Sequence, residues 1–211
     1  MDPDSRLVLS VLVGKRLLGS AVQLLLDVKE RLPGPPELIT SDEWPGYPDA
    51  IAQAFGTVVT PERTGRPGRP ARPRVEVPAG LNHATVHKTR ECGRVVKVEA
   101  RVVRGTAGAV EAALGGGEVS VSYLERQNGT DRHRNARKGR KTYRFSKLLD
   151  MHEALTHFTM YSYNFCWPVR TLRQEAGGRR YHQRTPAMAA GLTDRVWPLR
   201  EWITFPACQS A

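Results

Sequence analysis

Residues 6–44 read RLVLSVLVGKRLLGSAVQLLLDVKERLPGPPELITSDEW, and their hydrophobic pattern decides the fold. Arg6 to Val13 is a short, β-branched, almost continuous apolar run closed by Gly14, the pattern of a central strand covered on both faces. Ser20 followed by Gln23 reads as a capping box. Val22, Leu25, Leu26, Lys29 and Leu32 then recur at helical spacing until Pro33-Gly34-Pro35-Pro36 stops them. Glu37 to Thr40 is a second strand. Strand, helix and strand make a right-handed βαβ unit with two parallel strands, and the chain is expected to be α/β.

This topology puts Asp42 just beyond the carboxyl end of a parallel strand, where side chains of open α/β sheets converge on a crevice. Asp42 is therefore a site candidate. The same aspartate also suits a turn or a helix N-cap, because Pro45-Gly46 and a helix bearing Pro48, Ile51, Ala54 and Phe55 follow it.

The chain has 211 residues, and 32 Lys and Arg against 21 Asp and Glu leave a net charge of +11. A polyanionic partner is the leading expectation. At 40% hydrophobic residues the chain can bury one real core without disulfide staples. Cys92, Cys166 and Cys208 are odd in number and widely spaced, with no Cys-x-x-Cys pair for zinc, which fits a reducing cytoplasm. No apolar run approaches the ~20 residues of a membrane helix, and Met1-Asp2-Pro3-Asp4 lacks a signal peptide's basic start. A soluble, cytoplasmic protein without a membrane partner is expected.

Residues 60–80 alternate prolines with Arg63, Arg66, Arg69, Arg72 and Arg74. Proline excludes a helix or a central strand and favours an extended arm, whose guanidiniums can follow phosphates or enter a minor groove, Arg66 and Arg69 foremost. A solvated linker is the alternative. Ala84 to His87 and Arg94 to Val103 flank Glu91-Cys92-Gly93 as a hairpin with a glycine turn. A short helix is expected from Thr106 to Leu114, and Gly115-Gly116-Gly117 ends a segment, 81–117, that reads as an insertion.

The densest signal is cationic. From Glu125 to Lys147 the chain carries Arg126, Arg132, Arg134, Arg137, Lys138, Arg140, Lys141, Arg144 and Lys147, with Asp131 the one acid after Glu125. A solvated helical face interleaves acids for i,i+4 pairing, whereas nearly pure positive charge repels itself until an anion neutralises it. Nucleic acid is the expected partner.

Two carboxylates beside such a surface suggest a divalent cation. Magnesium takes oxygen ligands, often one or two carboxylates plus water and phosphate. Two like charges about 4 Å apart at an effective dielectric of about 20 repel by roughly 4 kcal/mol, enough to raise one pKa by about three units unless a dication lies between them.

Thr40-Ser41-Asp42-Glu43-Trp44-Pro45-Gly46-Tyr47, with Leu124-Glu125-Arg126-Gln127-Asn128-Gly129-Thr130-Asp131-Arg132 and Ala136-Arg137-Lys138-Gly139-Arg140-Lys141-Thr142-Tyr143-Arg144-Phe145-Ser146-Lys147, resembles bacterial insertion-sequence transposases of the InsB type, within the DDE transposase and retroviral-integrase superfamily. The likeness runs from about Asp2 to Tyr163. It implies a ribonuclease H-like mixed sheet flanked by helices over residues 1–167, two Mg²⁺ or Mn²⁺ ions, and metal-dependent strand cleavage and strand transfer between transposon ends and target DNA. Such recombinases act as homo-oligomers. Asp42 matches the second catalytic acid and metal ligand and Glu125 the third. Arg132 takes the basic position seven residues on, Asn128 and the cations to Lys147 join the DNA-binding set, Glu43 is exposed, and Trp44-Pro45-Gly46 shapes the turn. The 83 positions between Asp42 and Glu125 accommodate the arm and hairpin.

The family's first acid lies on a strand upstream of the run at Arg6 to Val13, and Asp2 matches the acid that opens the second strand. The chain is therefore expected to lack that first strand and ligand and to be catalytically incomplete; a noncatalytic basic nucleic-acid-binding protein is the alternative.

Leu148 to Phe165 reads as an amphipathic helix with Leu148, Met151, Leu155, Phe158 and Tyr161 inward. His152 and His157, five apart, lie about 500° round a helix and share no face for zinc. Tyr161, Tyr163 and Trp167 suit either base stacking or core packing. In the tail, 168–211, Thr185-Pro186 opens a short helix that, as in many insertion-sequence proteins, packs back or contacts DNA.

Overall fold

A computed structural model describes residues 1–61, 72–139 and 141–206. The architecture is mixed α/β, with a small mixed sheet and flanking helices. It divides into two compact units, Gly14–Ser122 and Met1–Val13 with Tyr123–Ala211. Among the described residues no helix is long and apolar enough to cross a membrane.

The unit of residues 14–122 begins with α1 (Leu18–Glu30), then β1 (Leu38–Ser41) and α2 (Tyr47–Phe55). The expected capping box does not form: Leu17 is the N-cap, and Ser20 lies inside the first turn. Starting the helix earlier lets Ala21 bury and Leu25 reach the core, where Ile51, Ala54, Phe55 and Leu81 pack with Ile39 and Val77. Lys29 stays on the α2 side, its Nζ donating to the Ala54 carbonyl at 2.8 Å.

Two short strands, β2 (Thr57–Val59) and β3 (Arg74–Glu76), pair antiparallel, so the chain leaves and re-enters beside one ladder around the proline and arginine stretch. Arg66 and Arg69 lie outside the described residues. The hairpin is as expected. β4 (Asn82–Glu91) and β5 (Arg94–Arg104) pair antiparallel about Cys92-Gly93, whose φ angles of 47° and 80° give a two-residue turn of the kind that matches strand twist. β4 also pairs parallel with β1, from Leu38 opposite Asn82 to Ser41 opposite Thr85, and so becomes the central strand of the sheet β1-β4-β5. The short helix α3 (Ala107–Leu114) is capped by Thr106, whose hydroxyl accepts from the Ala109 N–H at 3.2 Å.

In the other unit, the run at Arg6 to Val13 does not form the expected central strand; it belongs to no ladder. Its peptide groups are satisfied by a side chain instead. Asn164 donates from Nδ2 to the Val8 carbonyl and accepts the Val8 N–H at Oδ1, both at 2.9 Å. Val8 is buried against Met160 and Tyr163, with Val11 and Met1 alongside. A continuous apolar run signals burial on all sides, and here a helix supplies the cover that was ascribed to a sheet. The β1–β4 pair is accordingly the only parallel pair among the described residues.

Glu125 lies in α4 (Ser122–Arg134), a 3₁₀ turn follows at Ala136–Lys138, and α5 runs from Leu149 to Cys166. The helix at 148–165 is thus present, but its buried face differs from expectation. Thr156, Met160, Ser162, Tyr163 and Asn164 are buried, while Leu148 and Met151 are exposed. Polar residues earn the interior because they have partners there, as Thr156 does in donating to the His152 carbonyl at 2.6 Å. A minimal ribbon of β6 (Gln174–Glu175) and β7 (Tyr181–His182) precedes α6 (Pro186–Ala189) and α7 (Leu199–Thr204). The Thr185-Pro186 helix packs back on α5, with Thr185 fully buried and accepting the Met188 N–H at 3.2 Å. Trp197 lies between Phe165 and Phe205, with ring centroids 5.2 and 5.0 Å away and planes tilted by 51° and 52°.

Candidate functional site

Asp42 directly follows β1, at the carboxyl end of a strand in a parallel pair. Its carboxylate is already engaged. A single nitrogen of Arg16, Nη2, lies 2.9 Å from Oδ1 and 2.7 Å from Oδ2, and Oδ1 also accepts the Trp44 N–H at 3.2 Å. The latter bond closes an Asx-type turn two residues long. Arg16 also stands 5.5 Å from the Trp44 ring centroid, and Trp44 meets Tyr47 edge-on at 5.2 Å. Gly46 lies beneath that indole: a Cβ there would approach Trp44 Cη2 to 2.3 Å, so the Trp-Pro-Gly turn demands glycine for close approach.

Behind this turn lies a buried polar pair. Ser41 Oγ donates to the Asp42 carbonyl at 2.8 Å and contacts His83 Nε2 at 2.9 Å. With its one proton directed to the carbonyl, Ser41 must accept from His83, which fixes the proton on Nε2. Nδ1 is then bare, and it is buried without a partner. Burial, followed by the nearby charge of Arg104, pushes the His83 pKa below the ordinary histidine range. Glu43 is exposed, as expected, and spans to the sheet, pairing with His87 Nδ1 and, at 3.0 Å, with Arg101 Nη1. His83, His87 and Arg101 were not legible as neighbours of the 42–47 motif, because only pairing of β1, β4 and β5 assembles them, and Arg16 reaches it from the approach to α1.

Among the described residues no group of three or more His, Cys, Asp and Glu gathers as a ligand set. A cation at Asp42 would share its carboxylate with Arg16 and the Trp44 N–H.

In the other unit, α4 sorts its side chains by face. Gln127 and Asp131 are buried, whereas Glu125, Arg126, Asn128, Arg132 and His133 are exposed. At 100° per residue, Glu125, Asn128 and Arg132 fall on one face, since three and seven residues are close to whole turns. Asp131 is held internally by Lys138 Nζ and Thr159 Oγ1, each at 2.6 Å. Lys138 is therefore a strut between α4 and the turn after it. Arg134 is half-buried, its guanidinium 3.5 Å from the Trp167 ring centroid and 5.8 Å from that of Tyr163.

Arg126, Arg132, Arg137, Lys141, Arg144 and Lys147 are exposed, and among the described residues Lys138 alone of the 126–147 cations sits in an ion pair. Arg140 lies outside the described residues. The signal for the strut was the single acid of the run, Asp131, seven residues ahead of Lys138. Comparison with known proteins finds no family model, no curated protein and no solved structure that matches the chain.

Proposed function

We propose that the protein binds DNA through the exposed face of α4 and the cationic segment that follows it, in DNA transposition of the InsB type. The observation that carries the reading is the division of charge in residues 125–147. Of the segment's two acids, Asp131 is buried and consumed by Lys138 and Thr159, which leaves exposed Glu125 against six exposed cations. Such a surface is self-repelling until phosphates neutralise it. Glu125, Asn128 and Arg132 sharing one helix face accords with the roles that the resemblance gives them.

Strand cleavage with Mg²⁺ or Mn²⁺ is the further part of this reading, and its support is the resemblance at Asp42 and Glu125. A specific observation favours the noncatalytic alternative: Asp42 is bound by Arg16 and by the Trp44 N–H, as a turn aspartate would be.

Binding is tested by titrating duplex DNA at rising salt. For about six to ten phosphate contacts, affinity falls roughly 10³- to 10⁵-fold between about 50 and 200 mM salt; a flat profile would overturn the proposal. Incubation of terminal-repeat DNA with Mn²⁺ separates the two forms of the reading. Cleavage abolished by Glu125→Gln supports an active recombinase and overturns the expected incompleteness, whereas binding without cleavage accords with an incomplete recombinase and with the noncatalytic protein.

A further inference from the structure

The segment between α4 and α5 exposes more than charge. Tyr143 is 100% exposed and Phe145 60%, and Leu148, Leu149 and Met151 are exposed beside them. Phe145, Leu148 and Met151 line an open groove of about 540 Å³ together with Arg137, Arg144 and Lys147. That volume falls within the range of about 300–1,000 Å³ typical of ligand sites. The loop is pinned locally, the Arg144 N–H donating to Thr142 Oγ1 at 3.0 Å.

Cations interleaved with apolar and aromatic side chains call for a ligand that is anionic at one edge and flat and apolar at another. Duplex DNA offers phosphates to such a surface but keeps its base faces stacked within the helix. An unpaired nucleotide offers both, because every base has a π-face and every linkage a phosphate. An acidic peptide would satisfy the cations and leave Phe145 uncovered. We infer that the groove holds an unpaired nucleotide of single-stranded DNA, its base against Phe145, Leu148 and Met151 and its flanking phosphates on Arg137, Arg144 and Lys147. This inference rests on the DNA-binding reading above and adds the form of DNA that is preferred.

The test measures binding of the full chain to a blunt duplex and to the same duplex carrying a short unpaired extension, by fluorescence anisotropy at one salt concentration. Stacking of one base gives the extended duplex at least about fivefold tighter binding. Phe145→Ala removes that preference and leaves affinity for the blunt duplex unchanged; Phe145→Trp retains it. Phe145 is exposed, so circular dichroism and thermal melting of the variants should match the parent. Equal affinity for the two probes, or a preference that survives Phe145→Ala, overturns the inference while the DNA-binding reading stands. Loss of an oligomer in the Phe145→Ala variant also overturns it, by assigning the groove to a second copy of the chain. Absence of binding to either probe brings down both.

Discussion

Arg16 and Asp42 form an ion pair in which one guanidinium nitrogen reaches both carboxylate oxygens, at 2.9 and 2.7 Å, across side chains that are 60% and 55% exposed. The pair joins the approach to α1 with the end of β1, where the 42–47 motif begins.

Exposure keeps that pair weak. Exposed ion pairs contribute roughly 0–1 kcal/mol, so Arg16→Ala and Asp42→Asn should each change stability by less than about 1 kcal/mol. A double-mutant cycle in urea denaturation measures it. A coupling above about 2 kcal/mol would make Asp42 chiefly a structural residue.

Asp131 stands at the other extreme. Its carboxylate and the Lys138 ammonium are both largely buried, and Asp131→Ala leaves Lys138 charged and unpaired in the interior, a loss of about 3–5 kcal/mol. Replacing both, Asp131→Leu with Lys138→Met, should cost less than Asp131→Ala alone. Chemical denaturation of the three variants checks the order.

Arg132 and Lys138 are predicted to separate cleanly. Arg132→Ala should leave the melting temperature unchanged and lower the slope of log affinity against log salt by about one, because one phosphate contact is lost. Lys138→Ala should lower the melting temperature instead. Paired melting and DNA titrations distinguish them.

His83 ties stability to pH. Its folded-state pKa is depressed by burial, so below the unfolded value of 6.5 the unfolded chain binds a proton that the folded chain resists. Its stabilising contribution is fully present above about pH 6.5 and is lost as pH falls from there through the lower folded-state value. Urea midpoints at about pH 7.5 and 5.5 should converge in His83→Gln relative to the parent. An unchanged gap would remove His83 as the sensor.

Gly46→Ala should cost about 1–3 kcal/mol, since the new methyl meets the Trp44 ring, and less in a Trp44→Ala background where the ring is absent. Additive losses would contradict the close approach as the cause.

Local chemistry was legible where it depends on neighbours in sequence. The Cys92-Gly93 turn, the helix start at Thr185-Pro186, the helices over 107–114 and 149–166 and the end of β1 before Asp42 all follow from residue type and spacing within a few positions. The cationic run from Arg126 to Lys147 was equally plain, because charge needs no fold to be counted.

What required the tertiary structure was the choice of partner. An apolar run such as Arg6 to Val13 demands cover but does not specify it, and Asn164, more than 150 residues away, satisfied its backbone in place of a strand. The same ambiguity concealed that Asp131 takes Lys138 inside, that Arg16 takes Asp42, and that α5 buries Thr156 and Asn164 while Leu148 and Met151 face water. Sequence by itself determined the hairpin turn, most of the helices and the run of charge, since these are short-range properties of the chain. Only the folded molecule decided which charges neutralise one another and which stay open to a ligand, since that depends on distances between residues remote along the backbone.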